Sequence, residues 1–204
     1  MTVLLLDERW PTLIPMEVHD ALAEPVTYTG EIPVKVRWNF GDLVSRVDPD
    51  GVGTIVSTNA HDPEVARRIA AGECVIEAPS RHDSVYEAQQ VMAAARSRGE
   101  WEMSQSHSSL LPYLCEEAQE FAEAVAADAP DVELCRELGD VLLQVLFHAE
   151  IASRRGAFDF GDVAASFVAK MRSRAPYLFD GSTGVVSTEH QEELWAAGKR
   201  AEAR

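Results

Sequence analysis

The chain has 204 residues, enough for one large domain or two small ones with a buried core, and its 46% hydrophobic content excludes a short peptide effector or a long disordered tract. Eighteen Lys and Arg against 34 Asp and Glu leave a formal net charge of −16, a field that repels nucleic-acid backbones and anionic membrane surfaces. Neither partner is expected, and a phosphate-bearing ligand would need metal ions to approach.

Residues 1–10 contain only the short apolar run Val3-Leu4-Leu5-Leu6, lack a basic start and turn acidic at Asp7-Glu8, which is unlike a signal peptide. No apolar run approaches the roughly 18 residues of a membrane span, so a cytoplasmic protein is expected. Apolar β-branched bursts at 3–6, 26–28, 34–38, 54–56 and 74–76 predict strands. Short helices are predicted at 15–22 and 62–71, the second with Pro63 in its first turn and Gly72 beyond its last. Residues 1–80 therefore read as a small α/β unit. Gly51-Val52-Gly53-Thr54 lacks the Lys and the strand-to-helix context of a phosphate loop and reads as a turn.

The polar stretch Ala78-Pro79-Ser80-Arg81-His82-Asp83 marks a boundary, after which the apolar period becomes 3.6. Helices are predicted from the cap Asp83 to a stop at Gly99, then over 108–127, 132–154 and 160–174 behind Asp159. A last helix starts at Ser187 or Thr188, with a capping box in Thr188 and Gln191. Short connections make residues 84–204 an antiparallel helical bundle, and the whole chain an α+β protein. Cys74, Cys115 and Cys135 are spaced for neither a disulfide framework nor a zinc site, and are expected as reduced, mostly buried thiols.

Between Glu116 and Asp140 lie nine acidic residues, opposed in sequence only by Arg136. An acidic run is commonly a solvated helix face, but the helix over 132–154 is apolar around most of its circumference. It leaves one narrow polar stripe of Glu137, Asp140, Gln144 and His148. Carboxylates buried there require neutralisation. The preceding helix offers Glu117 and Glu120, also three apart and so on one face. Four carboxylates of this kind form an all-oxygen set that favours Mg²⁺, with Mn²⁺ as a substitute, over zinc. His148 and Gln144 are either core residues or supports of that cluster.

Glu116-Glu117-x-x-Glu120 and, after sixteen intervening residues, Glu137-x-x-Asp140 resemble the signature of the MazG family of all-α nucleoside triphosphate pyrophosphohydrolases. Trp101, Gln105-Ser106-His107-x-Ser109-Leu110, the run Arg136 to Val145, Phe158-Asp159-Phe160 and the stretch Lys170, Pro176, Phe179 follow in family order, over about 84–200. The resemblance implies Mg²⁺-dependent hydrolysis of nucleoside triphosphates to monophosphate and pyrophosphate, in nucleotide-pool housekeeping or removal of aberrant nucleotides. Glu117, Glu120, Glu137 and Asp140 would be metal ligands, with Glu116 and Glu117 acting in catalysis. Lys170 and Arg174 would meet the outer phosphates, and Trp101 and His107 would border the base. Related proteins also complete the bundle with a neighbour, which implies a homodimer or dimer of dimers. Departures fall on the nucleotide margin: Gly99-Glu100-Trp101-Glu102 stands where the family commonly has Cys-Pro-Trp-Asp, Met103 where Lys is frequent, and Ala175 where His often precedes the Pro. Two other readings remain open, a non-catalytic acidic dimerisation or metal-binding module and a metal-dependent phosphohydrolase of another nucleotide. The product released from a nucleotide separates them.

Overall fold

The computed structural model describes residues 1–44 and 46–202, and the chain divides into two compact units, Met1–Glu87 and Ala88–Arg204. Ala203 and Arg204, the end of the predicted 84–204 domain, lie outside the described residues. Among the described residues no helix is long and apolar enough to cross a membrane.

In the first unit, strands β1 (Thr2–Leu5), β3 (Val26–Tyr28), β5 (Thr54–Ser57) and β6 (Cys74–Glu77) form a parallel sheet in the order β3-β5-β1-β6. β1 is central, pairing Val3 with Ile55 on one side and with Val75 on the other. A second pair, β2 (Ala23–Glu24) and β4 (Arg46–Val47), lies outside that sheet. The alternation of β1 sorts its side chains onto two faces. Leu4 and Leu6 join Val18, Leu22, Ile32, Val36, Phe40 and Val56, whereas Val3 and Leu5 join Ile55 and Val65. The second cluster is closed by helix α2 (Pro63–Ala70), whose cap Asp62 accepts from the amides of Glu64 and Val65.

Two expected elements are corrected here. Residues 34–38 form not a strand but helix α1 (Val34–Asn39), capped by Pro33. Ile32, Val36 and Phe40 are the buried residues of this region, and their spacing of four is a helical period that overrides the β propensity of Val34 and Val36. The helix predicted over 15–22 shrinks to a single 3₁₀ turn, Met16–Val18, because Asp20 takes a left-handed φ of 63°. The Gly51-Val52-Gly53 segment is the expected turn: Asp48 accepts from the amides of Asp50, Val52 and Gly53. Gly53, at φ 60°, presses so closely on Pro25 that a Cβ would lie 1.9 Å from its carbonyl oxygen.

Helix α3 (Ser84–Arg98) starts behind Asp83, which accepts from the amides of Val85 and Tyr86. A short helix, α4 (Glu100–Ser104), follows that the periodicity did not predict. The second unit is then built from α5 (His107–Ala126), α6 (Asp131–Ser153), α7 (Phe160–Arg174) and α8 (Thr188–Glu202). Reciprocal capping boxes fix two of these starts, Ser106 with Ser109 at α5 and Asp159 with Asp162 at α7. At α8 the expected box of Thr188 and Gln191 does not form. The Ser187 hydroxyl accepts from the His190 amide instead, and Gln191 donates to the Val186 carbonyl. Gly198 lets α8 touch the end of α7, since a Cβ there would lie 2.7 Å from the Ser173 carbonyl oxygen.

Met92 of α3, Leu110 of α5, and Leu146 and Phe147 of α6 form the core of this unit. The covering of α6 is uneven. Its C-terminal half is covered, but Val132, Leu138, Leu142 and Leu143 on its N-terminal half are 78%, 51%, 40% and 43% exposed. All three cysteines are free, as expected, but exposed rather than buried.

Candidate metal and nucleotide site

Helices α5 and α6 pack in opposite senses, since His107 at the start of α5 meets His148 near the end of α6 while Glu117 and Glu120 meet Glu137 near its start. One carboxylate oxygen from each of Glu117, Glu120 and Glu137 falls within 4.8 Å of the other two. Asp140, the fourth expected ligand, stands outside that tight set, one turn along α6 from Glu137 and half-buried. Glu117 is half-buried and Glu120 exposed, while Glu137 is 4% exposed.

The electrostatics follow from that crowding. Burial first, and then the charges of Asp140, Glu120, Glu116 and Glu137, push the Glu117 carboxyl above its ordinary value. The cation that opposes the acidic run in sequence also reaches the cluster in space: the Arg136 guanidinium donates to Glu137 Oε1 at 2.6 Å. Arg136 is mostly solvent-exposed and satisfies only that oxygen. Glu137 Oε2 is buried with no hydrogen-bond partner. A carboxylate cluster in which one member keeps a buried, unpartnered oxygen fits a divalent cation, and the oxygen-only donor set fits Mg²⁺ or Mn²⁺.

The histidines form the other end of the α5–α6 seam. The rings of His107 and His148 lie parallel within 5°, 5.0 Å apart, with their Nδ1 atoms at 2.7 Å. One proton is shared across that contact, and burial, followed by the neighbouring His107, lowers the pKa of His148. His148 Nε2 is buried and unpartnered, as is Gln144 Oε1 one turn before it. The pairing of the two histidines escaped the sequence reading, although antiparallel helices whose carboxylates meet at 117 and 137 bring 107 opposite 148. Trp101 on α4 is half exposed and stands edge-on to Tyr113 and Phe147, with ring centres 5.9 and 6.0 Å away. Arg96 ties down that segment by donating to the carbonyls of Glu102 and Gln105, at 3.0 Å for the second.

The remaining expected residues are not gathered at the cluster by any of these contacts. Glu116 is exposed, contributing its charge to the field at Glu117. Lys170 is exposed on α7. Arg174 is engaged, donating to both Glu202 oxygens at 2.5 and 3.2 Å and lying 5.1 Å from the Trp195 ring centre. Arg172 lies over Phe179.

In the first unit the C-terminal ends of the parallel strands, where such sheets commonly bind ligands, are closed by the chain itself. Arg81 donates to the carbonyls of Leu6 and Thr58 beyond β1 and β5. Glu31 accepts from Thr29, Ser57 and the Thr58 amide, and these bonds outweigh burial to lower its carboxyl to about 2.

Residues 1–76 match the family model of the MazG N-terminal domain and residues 105–179 that of the MazG nucleotide pyrophosphohydrolase domain. The chain is 39% identical to a nucleoside triphosphate pyrophosphohydrolase of Mycobacterium tuberculosis, with 99% of this chain and 62% of that protein covered. It is 38% identical to one of Mycolicibacterium smegmatis, with 100% and 63% covered, so it spans less than two thirds of either relative's length. A solved MazG-related protein from Thermotoga maritima aligns with 56% of this chain and 98% of its own at 28% identity and a TM-score of 0.49.

Proposed function

The chain belongs to the MazG nucleotide pyrophosphohydrolase family, and from that membership we propose that it hydrolyses nucleoside triphosphates to monophosphate and pyrophosphate in the cytoplasm, clearing surplus or aberrant nucleotides. The observation that carries this reading is the Glu117, Glu120, Glu137 cluster with its buried, unpartnered Glu137 oxygen. Such a site is strongly unfavourable for a triphosphate on its own and becomes favourable with a divalent cation between them.

Glu117, Glu120 and Glu137 would hold Mg²⁺, with Asp140 as a further oxygen donor one turn along. When bound, Mg²⁺ neutralises phosphate charge and makes a coordinated water more acidic. The chain's own groups do the rest. Glu116, rotated about 100° from Glu117 around α5, accepts the proton of the attacking water. The water oxygen bonds to the α-phosphorus as the bond to the bridging α–β oxygen breaks, and pyrophosphate departs with that oxygen. Lys170 meets the outer phosphates, as does Arg174 once phosphate replaces Glu202 on its guanidinium. Trp101 presents an exposed aromatic surface to the base, beside His107. The uncovered apolar half of α6 is assigned to a second copy of the chain, giving a homodimer or a dimer of dimers.

Incubation of the purified protein with a panel of ribo- and deoxynucleoside triphosphates and Mg²⁺, with the products identified, tests the reading. Monophosphate and pyrophosphate, abolished by chelator, are expected. Orthophosphate would indicate another phosphohydrolase, and no turnover of any nucleotide would indicate a binding module.

A further inference from the structure

Glu137, Gln144 and His148 fall within an arc of about 40° around α6, spaced about 10 Å and then 6 Å along its axis. Each carries a buried atom without a hydrogen-bond partner: Glu137 Oε2, Gln144 Oε1 and His148 Nε2. Glu137 is accounted for by the cation site, but Gln144 is not. Its side chain is an amide with 3% of the residue exposed, and a buried amide oxygen without a donor is a cost that native structures rarely carry for packing alone. An apolar residue would fill the same position between Val141 and His148 without that cost. With the triphosphate on the carboxylates, a nucleotide extends its sugar and base along the seam toward the histidines and Trp101, and so past Gln144.

We infer that Gln144 is a specificity-determining residue whose Oε1 accepts a hydrogen bond from the nucleoside half of the substrate, a sugar hydroxyl or a base N–H. This rests on the nucleotide reading above. The shared chemistry is a donor at the depth of one helical turn beyond Asp140, and His148 Nε2, fixed by its bond to His107, is a second polar atom beside it. Discrimination arises because a nucleotide lacking the donor leaves Oε1 buried and unpaired, which a site of this kind penalises more than it penalises a missing apolar contact.

Gln144→Leu and Gln144→Met remove the acceptor at nearly constant volume. Calorimetric binding of non-hydrolysable α,β-imido nucleotides in Mg²⁺ compares ribo, deoxy and dideoxy sugars, and bases with and without an exocyclic amine. Wild type is expected to prefer one member of at least one pair by tenfold or more, and both variants to flatten that contrast. Loss of a sugar contrast identifies a hydroxyl, and loss of an amine contrast identifies the base. Both metal-free variants are expected to melt at or above the wild-type temperature with unchanged molar mass. If every contrast survives in both variants, or the metal-free variants melt lower or change mass, the donor to Gln144 comes from within the protein or a neighbouring copy and the inference falls. Wild type that binds none of the nucleotides overturns the nucleotide reading as well, whereas wild type that binds them and variants that keep every contrast overturn this inference alone.

Discussion

At Glu137 one carboxylate oxygen leans on an exposed guanidinium and the other is buried without a hydrogen-bond partner, in a side chain that shares its site with two further carboxylates. Glu137→Gln removes a buried charge and leaves Arg136 free in solvent, where the lost pair contributes little. The metal-free variant should therefore melt no lower than wild type. Pyrophosphate release should fall by more than roughly 100-fold, since even residues supporting a metal ligand contribute 10- to 100-fold. Glu117 makes a second prediction. Its folded carboxyl titrates above the unfolded value of 4.5, so its contribution to stability is present at pH below 4.5 and is lost as pH rises through the raised folded value. The difference in melting temperature between wild type and Glu117→Gln in chelator should shift against wild type as pH rises above 4.5, and Mg²⁺ should reverse it. The three-residue spacings of Glu117 with Glu120 and Glu137 with Asp140 made the cluster legible in the sequence. The Arg136 contact was not legible, because neighbouring helical positions point about 100° apart and only the length of an Arg side chain closes that gap.

Among the elements, the long helices were readable because periodicity and capping residues agreed, and α7 runs from Phe160 to Arg174 as Asp159 and its acidic partner dictate. Asp159→Ala should destabilise the folded protein by about 1 kcal/mol in denaturant titration, with catalytic parameters unaltered, because the cap satisfies the α7 amides and touches no carboxylate of the cluster. The short elements were harder. Val34, Val36 and the aromatic at Trp38 look like a strand, and only the tertiary contact of Ile32, Val36 and Phe40 with one sheet face makes them a helix. Helix α6 is apolar around most of its circumference, and its two halves differ. Met92 and its neighbours cover the C-terminal half, and no element among the described residues covers Leu138 and Leu142. A periodicity argument sees one helix and cannot know where its partners stop.

At the scale of the whole molecule, the carboxylates, the histidine pair and the exposed Lys170 all lie in Ala88–Arg204, while Arg81 and Glu31 close the strand ends of the first unit. A fragment of residues 84–204 should therefore retain pyrophosphohydrolase turnover within about tenfold of the full chain, a loss of about 1.4 kcal/mol at most in transition-state stabilisation. A folded fragment that takes up Mg²⁺ yet releases no pyrophosphate would assign part of the site to residues 1–80. The change of period falls after Asp83, and the compact units part between Glu87 and Ala88, at the end of the first turn of α3. The exposed thiol at Cys135 has a use of its own. It lies about 160° around α6 from Glu137 and within about 60° of Leu138 and Leu142, on the uncovered side of the helix. Alkylation of Cys135 by a water-soluble maleimide should slow as protein concentration rises from nanomolar to micromolar, while Cys74 in the first unit reacts at a constant rate. The ratio of the two rates, followed by mass spectrometry, becomes a footprint of self-association that needs no substitution. A ratio independent of concentration would leave the apolar half of α6 without the second copy assigned to it.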